Sequence, residues 1–188
     1  MKVKMKKDEL IKHLQNKYLL VDSGVAGRMF RYPESFIELS EIISESPAKL
    51  CINNAIHIEL ARLANNKIKK DEVDAFLVKN FFTLPVTNEI YEIAIEMHPI
   101  YRYCSSIKDK KQISVPDLIN AAFIKKYSAN LFLITADHQD FHREFFERVT
   151  YGAAPAGDHF IVWGIYKFDS ESYHILQKKY QNNENPDK

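Results

Sequence analysis

The sequence predicts a doubly wound α/β fold, with helices on both faces of a parallel sheet. Three observations predict it. The segments "YLLVD" at 18–22 and "LFLIT" at 131–135 are almost unbroken apolar runs, as strands covered on both faces require. Segments with apolar residues at helical spacing lie between and beyond them. Asp22 and Asp137 fall at, or just past, the ends of these runs, where folds of this class place their ligands.

A chain of 188 residues suits one domain with a full core. Its 46% apolar and 27% charged residues are those of an ordinary globular protein. A formal net charge of +1 excludes a global positive field, so contact with nucleic acid has to come from local lysines. These occur in "MKVKMKK" at the start, in "KDKK" at 108–111 and at Lys125 and Lys126. Cys51 and Cys104 show no CxxC spacing, and the basic start is followed by Asp8, Glu9 and "LIKHL" rather than an apolar signal core. A soluble protein of the reducing cytoplasm is therefore expected, since no apolar run reaches the roughly 20 residues of a membrane span. The expected division is a basic extension over 1–17, the domain over 18–168 and a polar tail over 169–188.

In chain order, a short amphipathic helix is predicted from Asp8 to Asn16, then the strand at 18–22. A helix over 35–46 follows from Phe36, Leu39, Ile42 and Ile43, with Pro47 helping to stop it. "INNAIHIELARLANN" spaces Ile52, Ile56, Leu60 and Leu63 as one helix that carries Glu59. "KDEVDAFLVKNFF" is a further helix, "TLPV" a short strand, and "NEIYEIAIEMHPIYRYCSSI" a helix that Pro99 interrupts or ends. After the linker "KDKKQIS", Ser114 or Val115 caps a helix with Pro116 in its first turn, which sets Asp117 at the helix start. The strand at 131–135 is followed by a helix "HREFFERV", a loop with Gly152, Pro155 and Gly157, and a last strand "HFIVWGIYKF". The tail "QKKYQNNENPDK" is expected to fray.

Such a fold can bring together Asp22, Glu59, Asp117 and Asp137. Four clustered carboxylates resist ionising together, and a divalent cation removes the conflict. An all-oxygen set suits magnesium or manganese, ions that polarise phosphodiesters and activate water.

These residues also carry a resemblance. "LLVDSG", "IHIEL", "VPDLINAA" and "LITADHQDF" resemble the four acidic motifs of the PIN domain, in the same order and with gaps of 37, 58 and 20 residues between the acids. The resemblance covers roughly residues 18–165. It implies a three-layer α/β/α sandwich around a parallel sheet of about five strands, metal-dependent RNA cleavage with Mg2+ or Mn2+, and frequent homodimers. Many compact bacterial members are VapC-like toxins held inactive by a partner antitoxin. Asp22, Glu59 and Asp117 match the first three acids, Asp137 the fourth, and Asp140 an additional acidic position that can hold a water or a second ion. Ser23, Thr135 and Asn120 can orient these carboxylates by hydrogen bonds. Lys125 and Lys126, at the end of the Asp117 helix, can meet RNA phosphates. The roughly 17 residues before the first motif and 45 after the fourth depart from the compact toxins, which bears on the toxin role more than on the nuclease role.

Plainer readings stand beside these. Asp117 alone would be a helix-start carboxylate favoured by the macrodipole, and Glu59 a solvated helix residue. Asp137 and Asp140 would cap the helix expected after 141. His57, His138 and His142 read as surface or packing residues, and Phe145, Phe146 and Trp163 as core. The rival functions are a PIN-fold RNA-binding scaffold without turnover and an aspartate-nucleophile phosphatase. The latter lacks its usual second aspartate, since Gly24 stands there.

Overall fold

A computed structural model describes residues 7–107, 113–141, 144–156 and 158–182. The lysines at 1–6 and 108–111, His142 and residues 183–188 lie outside the described residues.

The order is α1 (Lys7–Leu14), β1 (Tyr18–Val21), α2 (Ser23–Arg31), a 3-10 turn (Pro33–Phe36), α3 (Ile37–Glu45), β2 (Lys49–Asn53), α4 (Asn54–Ala61) and α5 (Lys67–Asn80). There follow β3 (Phe82–Leu84), α6 (Asn88–Ile107), α7 (Val115–Lys126), β4 (Leu131–Thr135), β5 (Phe146–Ala156), β6 (His159–Phe168) and α8 (Ser170–Gln181). The strands form one sheet in the order β3-β2-β1-β4-β6-β5. β3, β2, β1 and β4 run parallel, whereas β6 is antiparallel to β4 and β5 to β6.

Every residue of β4 is buried, so both sheet faces are covered. α1 packs on α3, while α6, α7 and α8 pack together. This is the α/β/α sandwich that the sequence predicts, with six strands instead of about five and an antiparallel pair at one side. No described helix is long and apolar enough to cross a membrane.

Five local expectations need correction. The stretch read as one helix from Ile52 contains β2, because Asn53 ends the strand and at once caps α4, its Oδ1 accepting from the Ile56 N–H at 3.0 Å. No link residue separates the two elements. α2, absent from the sequence reading, starts directly after Asp22. Pro99 sits inside α6 without ending it, held there by its buried neighbours Met97, Ile100 and Tyr101. In place of a helix at "HREFFERV" and a loop after it, Glu144 and Phe145 form a turn and β5 begins at Phe146. Phe145 packs on Tyr101 and Tyr173 at ring distances of 4.9 and 5.7 Å, and Phe146 on Phe141 and Phe168 at 5.4 and 5.6 Å. The polar tail forms α8 through Gln181, its start capped by Asp169 and its Tyr173 and Leu176 buried.

The β5–β6 ribbon is longer than the sheet it joins. β6 pairs with β4 only through Gly164–Tyr166, opposite Thr135–Leu133. Residues 159–163 therefore run past the end of β4, paired with β5 alone. At about 3.4 Å per residue the arm rises roughly 15 Å above the carboxyl edge. One face is packed, with Trp163 buried against Gly152, where a Cβ would stand 2.3 Å from the indole ring.

Candidate active site

Asp22 extends the β1–β4 ladder, its N–H donating to Ile134 at 2.9 Å, and its side chain then caps α2. Both carboxylate oxygens are engaged. Oδ1 accepts from the Ser23 N–H at 2.7 Å, and Oδ2 from the Thr135 hydroxyl at 3.0 Å. The same hydroxyl accepts from the Asp137 N–H at 2.9 Å, so fully buried Thr135 fixes two of the predicted acids to each other.

Asp117 stands in the first turn of α7. Ser114 caps that turn by accepting from the Asp117 N–H at 3.3 Å, and its hydroxyl donates to the Asp117 carboxylate. Half-buried Glu59 comes from α4. Asn120, one turn after Asp117, is fully buried and accepts from Asn53 Nδ2 at 2.7 Å, which ties α7 to the strand end that caps α4. Asn120 does not itself line the cleft.

Asp22, Ser23, Glu59, Asp117, Asp137 and Asp140 all line a single cleft of about 750 Å³ at the carboxyl edge of the sheet. The last two acids differ in burial. Asp137 is exposed, with its Oδ1 accepting from Gln139 N–H at 3.1 Å in a local turn, while Asp140 is only 5% exposed. Among the described residues no helix follows for Asp140 to cap. Lys125 and Lys126 stand eight and nine residues along α7, about 12 Å of helix rise from Asp117. There Lys125 meets Glu96 at 3.6 Å and the Tyr173 ring, and Lys126 pairs with Glu89, away from the cleft lining.

Sequence reasoning missed Arg28 of α2 and Phe160, Ile161 and Val162 of the arm, which complete the cleft walls. Arg28 lies in a helix that the sequence reading does not place, and the arm residues in the last strand, of which that reading singles out only Trp163, as core. His138 joins wall to floor. Its Nε2 lies 2.9 Å from the Val162 carbonyl, which can only accept, and its Nδ1 lies 2.6 Å from the Tyr166 hydroxyl.

Burial, and next the nearby charge of Asp117, pushes the Asp22 carboxyl up from 3.8 to about 6, against the lowering by the Thr135 and Ser23 bonds; Glu59 adds a smaller upward push. The acids therefore sense one another across the cleft. Among the described residues no three Asp, Glu, His or Cys side chains converge closely enough to hold a metal directly. An oxygen-only set around a buried, mutually repelling carboxylate fits a hard divalent cation that retains part of its water shell, as magnesium does.

A family model described as the PIN domain matches residues 19–144, more than half of the chain. The chain belongs to the PIN domain family. PIN domains are generally nucleases that use divalent metals and are associated with RNA substrates, in keeping with acids gathered at a sheet edge. The PIN match ends just before β5, so the arm and α8 lie outside it. No curated protein and no solved structure matches the chain.

Proposed function

We propose that this PIN domain is a metal-dependent endoribonuclease. The observation that carries the reading is that Asp22, Glu59, Asp117, Asp137 and Asp140, from four separate segments of the chain, line one open cleft. The chemistry that magnesium or manganese supplies at such a site is polarisation of a phosphodiester and activation of water.

The chain's own residues have distinct parts in this reading. Asp22, Asp117 and Asp137, with Glu59 directly or through water, form the acidic floor that takes the cation. Buried Asp140 extends that floor for a second ion or an ordered water. Thr135 and the Ser23 backbone hold the Asp22 carboxylate in one orientation, so little rearrangement is needed on binding. Arg28, whose guanidinium makes no ion pair among the described residues despite five acids in the cleft, is placed to bind a substrate phosphate. A toxin role, an antitoxin partner and a homodimer rest on the family resemblance alone.

The test is cleavage of 5′-labelled single-stranded and hairpin RNAs in manganese, in magnesium and in chelator, with Asp117→Asn prepared in parallel. Internal cuts that need metal and vanish in the variant are expected. Binding without cuts in either metal would favour the scaffold alternative instead.

A further inference from the structure

The arm formed by β5 and β6 has one packed face and one open face. Trp163 and Ile161 lie on the packed side, opposite Gly152 and Ala154. The open side carries Phe160, 76% exposed, beside Val162 and Tyr151, which are 44% and 38% exposed. Arg148 stacks over the Tyr151 ring at 5.0 Å.

This open face turns toward the acids. On the same face His138 lies against Gly164, where a Cβ would come within 3.3 Å of the imidazole, and its Nε2 bonds to the Val162 carbonyl. Phe160 and Val162 consequently line the cleft together with Asp22, Asp117 and Asp137.

An aromatic ring left three-quarters in water on a buttressed ribbon adds nothing to the core. Beside an acidic cleft whose other wall offers an arginine, its use is to stack a flat apolar group attached to a phosphate. A nucleobase of an unpaired strand is such a group. In a duplex the base faces are covered by their neighbours and cannot lie on the ring.

Resting on the ribonuclease reading, we propose that the β5–β6 arm is a base-stacking platform that selects single-stranded RNA, with Phe160 as its main contact. The strand would lie with a phosphate at Arg28, the scissile bond over the acids and an adjacent base on Phe160.

The experiment compares wild type, Phe160→Ala and Phe160→Trp on a labelled single-stranded 12-mer and on the same sequence annealed to its complement. Cleavage kinetics in manganese give KM and kcat separately, polarisation in chelator gives binding, and thermal melting checks the fold. Since a stacked base is typically worth about a tenfold change or more in affinity, Phe160→Ala should raise KM on the single strand by roughly tenfold with kcat and melting unchanged. Phe160→Trp should restore KM, and the duplex should be the poorer substrate for wild type.

If wild type cuts RNA but Phe160→Ala keeps its KM, or cuts duplex equally well, the platform is wrong while the nuclease reading stands. If wild type cuts nothing, the ribonuclease reading falls and polarisation judges the arm by itself. Weaker single-strand binding by Phe160→Ala would then uphold the platform; no RNA binding by wild type would overturn it and leave the face to a protein partner.

Discussion

The parallel half of the sheet and the antiparallel arm are built from the same kinds of residue and solve opposite problems. In β4, and in β1 beyond exposed Tyr18, the apolar side chains are buried on both faces, and the polar groups appear where the strands stop: Asp22 after β1, Asp137 after β4. In the arm one face is packed and the other left open, and the side chains that meet the cleft are apolar. The family match ends between the two regions. In the two proposals made above, hydrolysis would fall to the half within the family match and the choice of substrate to the arm outside it.

The largest expected effect tests the shared half. Asp137 is exposed, so Asp137→Asn should leave thermal stability unchanged while cutting the cleavage rate by about a hundredfold or more. A rate within threefold of wild type would remove Asp137 from the site.

Next comes the packing of the arm. Gly152→Ala places a methyl group where the buried Trp163 ring lies, and relief requires moving the indole or the strand. Overpacking of this kind costs about 1–3 kcal/mol, to be read from denaturant unfolding. Unchanged stability would mean the arm is loosely held and a poor platform.

The electrostatics of Asp22 predict a gain of stability. A carboxyl raised from 3.8 to about 6 in the fold holds its proton more tightly than in the unfolded chain, so metal-free stability falls as pH rises through that window. Asp22→Asn removes the buried charge but keeps an acceptor for the Ser23 N–H. In chelator it should be more stable than wild type above pH 6, by on the order of 2 kcal/mol, with no gain below pH 4. An equal gain at both pH values would show that charge is not the cause.

The smallest effect sharpens the contrast from the other side. Val162→Ala, on the open face, should change stability by no more than about 0.5 kcal/mol in the same unfolding assay, as an exposed substitution does.

Much of the acidic site was legible because local rules constrain it. A carboxylate ending a buried strand, and another after Ser-Val-Pro at a helix start, can be placed from a few residues each. Burial of Asp140 was not legible, since it follows from the turn at 138–140 that packs Phe141 into the core. β2 was hidden because Asn53 belongs to strand and cap at once. Of the arm, β6 was legible and β5 was not, for a physical reason as well: Gly152 and Pro155 signal loops, yet Gly152 is required by Trp163, and Pro155 is tolerated because β5 is an edge strand. α8 was masked by its polarity, its burial depending on Tyr173 and Leu176 alone among exposed lysines.

The claim on which the account turns is that these acids hold a divalent cation. Calorimetric titration of manganese into wild type and Asp22→Asn at pH 7.5 tests it without any substrate. The account predicts a saturable binding isotherm in wild type and at least about tenfold weaker binding in the variant. Absence of binding at millimolar manganese, or equal affinity in both proteins, would contradict it.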